Sequence, residues 1–385
     1  MAESRASNRA GAYEQQGAFR TFRPKPFPPN PPIDYSLDLL HQLSLADRAV
    51  ARLDGATEVL PNPDLFVYMF ARKEAVRSSQ IEGTQATLED VIKAEAGVPD
   101  PDLPDDVEEA TAYIAAMNQG LSRLASLPLS LRLLREVHAA LLGPVSRGKD
   151  KTPGEFRTSQ VLVGPPGCTA ENATYIPPSP KHVTDALRDL ERFFHDNPDM
   201  PFLVKVGLVH AQFETIHPFL DGNGRVGRLL ITLMLCEKGI ISRPLLYLSS
   251  YLKEHQAEYY RRLQDVHEFG RWEEWLMFFL QGVAETGNQA AHIAKKIVQL
   301  REQHRQSIVT EMGKGAGSAL AVLEALYKLP IISFAEASQV AQVEIAPAGK
   351  IVHKLEALGI VREITGRRRN QRFLYHEYFG LFNDT

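Results

Sequence analysis

The sequence predicts a mainly α fold with a β-hairpin in its middle and a small α+β domain at its C-terminus. From Ser36 to about Thr286, apolar residues mostly recur at helical spacing. A stretch punctuated by glycine and proline at 154–180 interrupts that spacing with β-branched residues. Beyond a glycine-rich run at 313–318, the pattern predicts three short helices followed by two strands.

The overall composition excludes several classes of protein. The 385 residues contain 43 Lys and Arg against 47 Asp and Glu, a formal net charge of −4, which argues against a generally basic nucleic-acid binder. Cys168 and Cys236 lack the spacing of a zinc ribbon or a disulfide framework, and a reducing compartment fits them best. The longest apolar run, 229–236, is too short to span a bilayer. We therefore expect a soluble, cytoplasmic protein without a membrane partner.

The first 35 residues are polar and then rich in proline. Prolines at this density cannot sustain a helix or the hydrogen bonds of a sheet, so residues 1–35 are predicted to be a flexible, extended arm. A first helix should follow, because leucines at 37, 40, 43 and 45 recur at helical spacing.

The stretch 154–180 departs from helical spacing. Its β-branched run Val161–Val163 is followed by glycines and prolines, and the stretch closes on Tyr175-Ile176 and two more prolines. Extended chain around a Gly/Pro turn predicts a hairpin or flap. An irregular surface loop is the alternative that this pattern leaves open.

The densest chemical signal is the run from His217 to Leu230, HPFLDGNGRVGRLL. Apolar residues recur at helical spacing on both sides, and Pro218 and the glycines end the first helix, so the run should join two helices. Backbone N–H groups at the start of the second helix would form an anion site. Arg225 and Arg228 lie one turn apart there, where cations oppose the helix dipole unless an anion lies between them. The pattern predicts a phosphate site, with a polyphosphate as its natural ligand.

Several familiar motifs nearly match this run and fail on context. Gly222, Gly224 and Gly227 spell G-x-G-x-x-G, but no strand precedes them and no acidic residue follows about 20 positions on, which excludes a dinucleotide site. A P-loop is excluded because its Lys-Ser/Thr pair is missing, and an EF-hand because its glycine and glutamate are missing. The histidines here lack the H-E-x-x-H spacing of a zinc site.

The side chains of the run suit phosphoryl chemistry. A histidine ordinarily titrates near neutral pH, so His217 is a candidate to take a proton from a hydroxyl nucleophile. Asp221 can hold Mg²⁺, which proteins usually bind through one or two carboxylates plus substrate phosphates. Asn223 can orient an oxygen. With the two arginines, these residues predict a nucleotide phosphoryl- or nucleotidyl-transfer site, where catalysis depends on positioning and charge stabilisation.

The run resembles the signature of the Fic (Fido) family, H-P-F-x-[D/E]-G-N-G-R-x-x-R, at every fixed position. The resemblance extends over roughly residues 60–285 and implies a mostly helical core with 154–178 as a target-docking flap. It implies a protein adenylyltransferase that transfers AMP from ATP to a Ser, Thr or Tyr hydroxyl of a target protein and releases pyrophosphate. The expectation of a homodimer rests on the resemblance alone.

The resemblance also implies roles for individual residues. His217 would be the catalytic base, and Asp221 would hold Mg²⁺ between the α- and β-phosphates. Arg228 would reach the γ-phosphate. The nucleotide-binding residues implied are Gly222, Asn223, Gly224, Arg225, Gly227 and Arg228, with Tyr251 near the adenine.

A second short motif lies upstream. The run Ser78-Ser79-Gln80-Ile81-Glu82-Gly83 resembles the inhibitory [S/T]-x-x-x-E-[G/N] motif of the same family. Ser78 and Glu82 are one helical turn apart, and Gly83 suits a helix end. We expect Glu82 to pair with Arg228 and to occupy the place of the γ-phosphate, which would leave the α-phosphorus out of line for attack.

The C-terminal residues predict a separate domain. Helices are expected over 318–329, 333–343 and 347–358, and strands over 360–365 and 371–376, the order of a winged helix, although small bundles share it. The basic residues at the turn and on the third helix are Arg367, Arg368, Arg369, Arg372, Lys350, His353 and Lys354. DNA is therefore a candidate partner, with a protein-docking module or a solvated turn as the alternative.

The predicted organisation has five parts. They are a flexible Pro-rich arm (1–35), a helical region carrying the inhibitory helix (36–105), a Fic core (106–286), a connecting helix with a glycine-rich hinge (287–317) and a winged-helix domain (318–385). The alternatives to a transferase are a DNA-binding regulator with a nucleotide-sensing Fic domain, an enzyme that removes AMP, and one that transfers another phosphate-containing group. His217 and Asp221 favour an enzyme, because a sensor needs neither a base nor a metal ligand.

Overall fold

Most of the described chain is helical, as the sequence predicts. The structure is a computed structural model and describes residues 8–58, 63–145, 150–165, 167–196 and 199–383. The helices are α1 (Leu37–Glu58), α2 (Pro63–Ile81), α3 (Leu88–Glu95), α4 (Val107–Leu124), α5 (Leu131–Leu142), α6 (Pro180–His195), α7 (Phe202–Ile216), α8 (Asn223–Glu237), α9 (Ser249–Glu254), α10 (Gln256–Phe269), α11 (Trp272–Met312), α12 (Ala316–Leu326), α13 (Phe334–Ala341), α14 (Ile345–Ala357) and α15 (His376–Asn383). The strands are β1 (Gly11–Gln16), β2 (Phe19–Pro24), β3 (Ile331–Ile332), β4 (Arg362–Glu363) and β5 (Phe373–Leu374). Within the described part of the chain, none of these helices combines the length and the apolar character that a bilayer span requires.

The N-terminal arm contains a β-hairpin that the proline-rich composition did not suggest. β1 and β2 pair antiparallel along their whole length. The two-residue loop Gly17-Ala18 joins them, and Gly17 has a φ of 62°, which suits a tight hairpin turn. Phe22 is buried against the rings of Tyr175 and His267. The predicted flexible arm is therefore wrong for residues 11–24, because the prolines begin only where β2 ends.

α11 runs without interruption from the core to the C-terminal residues. It runs across the predicted boundary between the Fic core (106–286) and the connecting helix (287–317). Gly287 lies in its interior because α1 packs closely there, and a Cβ at Gly287 would be 3.2 Å from the Cβ of Ala49. The glycine-rich run after α11 forms a 3-10 turn, Gly313–Gly315, that leads directly into α12, so the predicted flexible hinge is an ordered turn.

α7 and α8 form the centre of the fold. Every residue of α7 from Leu203 to Ile216 is buried, as its almost continuous apolar sequence requires. The indole N–H of Trp275 on α11 donates to the Gly207 carbonyl at 2.8 Å, which fixes α11 across α7. The loop between α7 and α8 is thus held by two buried helices.

The predicted flap is reduced to one antiparallel bridge. The backbone N–H and C=O of Val163 both bond to Tyr175, at 2.9 and 3.0 Å. On the other side of this segment, the Phe22 N–H of β2 donates to the Ile176 carbonyl at 3.0 Å. Regular pairing stops there, because Pro177 and Pro178 have no N–H to donate.

Residues 316–383 form a small α+β module. Its three strands make an antiparallel sheet in the order β3-β5-β4, and its helices are α12, α13, α14 and α15. The three predicted helices and the last two strands are present, although β4 and β5 are only two residues long. β3 and α15 were not predicted from the sequence. The assignment of this module as a winged helix stays a prediction.

Candidate active site

The loop between α7 and α8 reverses the chain within six residues. α7 ends at His217, which is left-handed (φ 49°, ψ 61°) and whose N–H still bonds to the Phe213 carbonyl. Gly222, also left-handed with a φ of 75°, precedes Asn223 at the start of α8. A left-handed histidine is uncommon and needs firm support from its surroundings.

Asn223 provides part of that support. Its Oδ1 accepts from the Phe219 N–H at 2.8 Å, and its Nδ2 donates to the Phe219 carbonyl at 2.9 Å. The Phe219 ring stacks on His138, with 3.7 Å between centroids. His138 Nδ1 accepts from the Gly154 N–H, so its Nε2 carries the proton and donates to the Asp221 carbonyl at 3.0 Å. The Asn223 amide thus holds the loop, with both of its ends engaged.

His217 lies at the open side of the loop, with 22% of its side chain exposed. Its Nδ1 faces the Glu214 carbonyl oxygen at 3.3 Å, which assigns the proton to Nδ1 and leaves Nε2 as an acceptor. Burial lowers the pKa of His217 to about 4, and the nearby Arg157 charge acts in the same direction. The imidazole is therefore neutral at pH 7 and able to accept a proton.

Arg157 joins the flap segment to the loop, and the sequence analysis missed it. Its guanidinium donates to the carbonyls of Pro178 at 2.7 Å, His217 at 2.7 Å and Ile216 at 3.2 Å. Burial lowers its pKa to about 10, so it stays charged at pH 7. Arg157 precedes His217 by 60 residues and lies in no motif, so no local signal marks it.

Asp221 presents its carboxylate to solvent beside the first turn of α8, with 44% of its side chain exposed. Its Oδ1 accepts from the Gly222 N–H at 2.5 Å and lies 3.6 Å from Arg225 Nη2. A single accessible carboxylate suits Mg²⁺, which keeps water ligands and takes others from substrate phosphates. The described residues hold no cluster of three or more His, Cys, Asp or Glu side chains that would enclose a metal on their own. The donor set fits Mg²⁺ that binds together with a nucleotide.

Arg225 already has a counter-ion within the protein. Its side chain is 5% exposed, and Nη1 donates to Oε2 of Glu109 on α4 at 2.8 Å. Glu109 is also buried, with 11% of its side chain exposed. The buried Nε of Arg225 lacks a hydrogen-bond partner among the described residues. This N–H is therefore available to an anion at the start of α8.

Arg228 is bound at three points by the end of α2. Its Nε donates to Ser78 Oγ at 2.8 Å, and its Nη2 donates to the Ser78 carbonyl at 2.9 Å and to Glu82 Oε1 at 2.6 Å. Burial favours the neutral form of Glu82, but Arg228 outweighs it and holds the pKa of that carboxyl below its usual value. The Arg228 side chain is 2% exposed and that of Glu82 36%. The structure thus places Ser78, Glu82 and Arg228 in direct contact.

The end of α2 is fastened by α9 and α10. Lys253 Nζ donates to the Gln80 carbonyl at 2.6 Å, and Gln256 Nε2 donates to the Ile81 carbonyl at 2.9 Å. These bonds satisfy carbonyls that a helix C-terminus leaves unpaired. The end of α2 and Glu82 therefore contact three other helices, α8, α9 and α10.

The three glycines of the run have different surroundings. Gly222 supplies the left-handed turn. Gly224 lets a carboxylate approach α8, because a Cβ there would lie 2.3 Å from Glu82 Oε1. Gly227 faces α7 instead, where a Cβ would lie 2.3 Å from Glu214 Oε1. Gly227, predicted among the nucleotide-binding residues, thus lies at the α7–α8 contact, where only a glycine fits.

Glu214 is a buried carboxyl group beneath the site. Burial raises its pKa to about 8, so it is neutral at pH 7. Its Oε1 lacks a hydrogen-bond partner within the described part of the chain, and its Oε2 lies 3.9 Å from His217 Nδ1. In this protonated state Glu214 adds no charge next to the imidazole.

Tyr251, predicted near the adenine, lies in a different environment. Its ring is 5% exposed and packs against Phe278 and His255. Tyr260 is 45% exposed. Burial raises the pKa of Tyr260 and the Glu82 charge raises it further, and Gln256 Nε2 donates both to the Tyr260 hydroxyl at 3.4 Å and to the Ile81 carbonyl at the end of α2. The exposed aromatic ring at the site is therefore that of Tyr260.

The basic residues of the C-terminal module are only partly available to a partner. Arg367, Arg368 and Arg369 are exposed and form no ion pair with another described residue. Arg372 pairs with Glu336 at 2.8 Å. On the third helix Lys350 is exposed, whereas Lys354 donates to the Glu311 carbonyl and His353 pairs with Glu356.

Comparison with known families agrees with this geometry. Residues 40–122 match the Fic/DOC family N-terminal region, and residues 128–235 match the Fic/DOC family itself. The chain is a Fic/DOC family protein. Both halves of the site lie within the matched residues of this Fic/DOC protein, the end of α2 in the first region and the α7–α8 loop in the second.

Curated relatives of the Fic/DOC protein are distant. It is 28% identical over 210 residues to the protein adenylyltransferase Fic of Aedes aegypti, covering 50% of this chain and 38% of that one. It is 26% identical over 276 residues to the protein adenylyltransferase Fic of Drosophila virilis, covering 64% of this chain and 53% of that one. The matches thus span about half or less of these relatives.

Solved structures show the same fold. A Fic family protein from Desulfovibrio desulfuricans G20 superposes with a TM-score of 0.58 at 20% identity, covering 89% of this chain and 97% of that one. A Fic-domain signalling protein from Bacteroides thetaiotaomicron gives a TM-score of 0.50 at 17% identity, covering 64% of this chain and 95% of that one. At these identities the likeness concerns the fold alone.

Proposed function

We propose that this Fic/DOC protein is a protein adenylyltransferase that is restrained by Glu82. It would transfer AMP from ATP to a Ser, Thr or Tyr hydroxyl of a target protein and release pyrophosphate. The observation that carries the proposal is the convergence of His217, Asp221 and Arg228 on the first turns of α8. The adenylyltransferase names of the relatives support it.

His217 is the proposed general base. As the target hydroxyl oxygen attacks the α-phosphorus, Nε2 of His217 takes its proton, a new O–P bond forms and the bond to pyrophosphate breaks. The Glu214 carbonyl at Nδ1 orients the ring and stabilises the imidazolium that results. The proton then passes from Nε2 to solvent.

The start of α8 is the proposed phosphate site. Its free backbone N–H groups and the unpartnered Nε of Arg225 are donors that suit phosphate oxygens. Arg228 is the proposed partner of the γ-phosphate. Asp221 is the residue that would hold Mg²⁺, and the ion would offset phosphate charge there.

Glu82 is the proposed inhibitor. A γ-phosphate and the Glu82 carboxylate would both need Nη2 of Arg228, which Glu82 already holds at 2.6 Å. The carboxylate also lies against Gly224, at the turn where phosphate would bind. Bound ATP would therefore be displaced from the position needed for in-line attack.

The flap segment is the proposed docking edge for the target. The backbone of Val163 is already used by Tyr175, and Ile176 is bonded by β2. In an antiparallel pairing, neighbouring residues point their N–H and C=O groups to the opposite edge. An extended target segment would accordingly pair with Leu162 and Gly164, and main-chain pairing would tolerate varied target sequences.

The decisive experiment measures transfer from labelled ATP in the presence of Mg²⁺. Glu82→Gly should raise self- or target-labelling at least tenfold over wild type, and His217→Ala in the Glu82→Gly background should abolish it. Glu89→Gly, which removes an exposed glutamate of α3, is the matched control and should leave labelling unchanged.

Intact-mass analysis of the Glu82→Gly protein identifies the group transferred without knowledge of the target. An added mass of one AMP group supports the proposal. A different added mass would replace adenylyl transfer by transfer of another group. Equal labelling of the wild-type and Glu82→Gly proteins would refute inhibition by Glu82.

A further inference from the structure

The C-terminal module holds the opposite end of the helix that carries the inhibitory residues. Near the start of α2, Phe66 and Phe70 lie one turn apart and are 2% and 5% exposed. The Phe66 ring stacks on Tyr327 at 6.4 Å between centroids, and the Phe70 ring meets Phe382 of α15 edge-on at 5.1 Å. We call these four rings the aromatic clamp.

The module side of the clamp is itself fixed to the core. The Tyr327 and Tyr375 hydroxyls are 3.0 Å apart, and the Tyr375 hydroxyl lies 2.8 Å from His304 Nδ1 on α11. Arg301 of α11 also pairs with Glu324 of α12 at 2.6 Å. The clamp rings are therefore held by α11, the long helix that packs against α7.

A second contact joins the module to α2 through α3. Arg72 of α2 binds both carboxylate oxygens of Glu95 on α3, at 2.7 and 2.8 Å. Just beyond α3, a Cβ at Gly97 would lie 4.0 Å from the guanidinium of Arg372 in the module. The module thus meets α2 directly and also approaches the turn that follows α3, the helix to which α2 is ion-paired.

α2 can transmit the position of its start to its end. Residues 64–81 contain neither glycine nor proline, the usual causes of helix kinks, so the helix is continuous. At about 1.5 Å per residue, the path from Phe66 to Ile81 is about 22 Å long. Midway, Glu74 is hydrogen-bonded to Tyr113 of α4 and Ser249 of α9, which provides a fixed point between the two ends.

We propose that the aromatic clamp positions Glu82. By holding the start of α2, the C-terminal module keeps the end of α2 in the register where Ser78 and Glu82 both reach Arg228. Loosening the clamp releases Glu82 and raises AMP transfer, so a partner that moved the module would act on the active site through α2. This inference rests on the proposed function.

The test uses the full chain, labelled ATP and Mg²⁺. Phe382→Leu removes one clamp ring and keeps an apolar side chain, and Phe373→Leu is its matched control. Phe373 is also fully buried in the module, but it packs on Phe334 and His353. Phe382→Leu should raise labelling at least threefold and Phe373→Leu should not. In the Glu82→Gly background, Phe382→Leu should add nothing.

A second readout is amide hydrogen exchange at residues 78–84. Phe382→Leu should speed exchange there, and Phe373→Leu should not. If Phe382→Leu does not fold, Phe66→Leu repeats both measurements from the α2 side of the clamp.

The outcomes separate this inference from the proposed function. If Glu82→Gly raises labelling and Phe382→Leu does not, the clamp is refuted and the proposed function stands. An equal increase from Phe382→Leu in both backgrounds also refutes it, because the effect would bypass Glu82. If Glu82→Gly does not change labelling, the proposed function fails and amide hydrogen exchange alone tests the clamp. Faster exchange at residues 78–84 in Phe382→Leu supports positioning by the clamp, and unchanged exchange overturns it.

Discussion

Arginines occur in two contrasting regions of this molecule. On α8, Arg225 and Arg228 are 5% and 2% exposed, and each donates to a carboxylate. At the turn between β4 and β5, Arg367, Arg368 and Arg369 are exposed and unpaired within the described residues. A buried guanidinium without a counter-ion is strongly destabilising, whereas an exposed one is hydrated. A buried anion site must therefore be filled by the protein's own carboxylates until a ligand replaces them.

The two carboxylates on α8 are not equivalent. Glu109 lies inside α4 with 11% of its side chain exposed, whereas Glu82 follows the end of α2 and is 36% exposed. A phosphate can displace a carboxylate only if that carboxylate has solvent to move into. The difference in exposure predicts a permanent partner for Arg225 and an exchangeable one for Arg228.

The largest expected effect comes from removing the permanent partner. Glu109→Gln keeps the size of the side chain and removes the shorter of the two ion pairs that Arg225 forms with described residues, leaving that with Asp221 at 3.6 Å. We expect the free energy of unfolding to fall by about 3 kcal/mol. Glu82→Gln leaves Arg228 its two bonds to Ser78 and a neighbouring side chain that solvent reaches, so the loss there should be smaller, about 1.5 kcal/mol. Urea midpoints of both variants against wild type measure the difference.

Equal midpoints for the two variants would contradict the distinction between the two pairs. Glu136→Gln, at a surface pair with Arg123, controls for the substitution itself and should stay near wild type.

The next effect concerns Glu214, which lies below Arg228. Its pKa of about 8, against 4.5 for an ordinary glutamate, means that the folded protein keeps a proton that the unfolded chain releases. Stability is therefore lost as pH rises from about 5 to 8, by at most about 1.4 kcal/mol per pH unit. Glu214→Gln carries no such proton and should gain about 2 kcal/mol relative to wild type between pH 5 and 6.5.

Urea midpoints at pH 5, 6.5 and 8 test this dependence. Parallel curves for wild type and Glu214→Gln would show that Glu214 is ionised in the folded protein. A wild-type curve that falls with pH relative to that of Glu214→Gln would establish the neutral carboxyl, because the buried histidines contribute equally to both curves.

These comparisons also show what sequence could and could not predict. The α7–α8 loop was predictable because its signals are local, such as Pro218, the glycines and two arginines one turn apart. The contact of Glu82 with Arg228 was anticipated only through a family resemblance. The pairing of Arg225 with Glu109 joins residues 116 positions apart and has no local signal.

Other differences between the predicted and the observed structure had signals in the sequence that the overall composition obscured. The N-terminal hairpin could have been recognised from Gly17-Ala18, a two-residue loop with glycine at its first position between two extended runs. The glycine-rich run at 313–318 is flexible by composition, but contacts of α11 with α12 order it. Tyr251 and Tyr260 look alike in sequence, and only packing shows which ring is exposed.

A smaller effect is expected for the pH dependence of the proposed base, His217. His217 accepts a proton only when neutral, and its pKa of about 4 keeps it neutral well below pH 6.5. From pH 6.5 to 5.5, kcat/KM for labelled ATP with Glu82→Gly should therefore change less than twofold. A histidine with an ordinary pKa near 6.5 would lose about fivefold over the same step. A fivefold loss, with ATP binding unchanged, would show that His217 titrates normally.

The smallest effect on the folded protein is expected at the exposed turn. Replacing Arg367, Arg368 and Arg369 by glutamine should shift the free energy of unfolding by less than about 0.5 kcal/mol, since these exposed side chains form no ion pair with the residues that the structure describes. If the turn contacts DNA phosphates, the same variant should reduce the log–log salt slope of duplex retention by about three. Arg372→Gln is the comparator, because it breaks the pair with Glu336 and should cost more stability and less DNA retention. If the wild-type protein does not retain duplex DNA at low salt, DNA is ruled out as a partner, and a protein-docking or solvated turn remains. The variant therefore shows whether these unpaired surface arginines bind a polyanion.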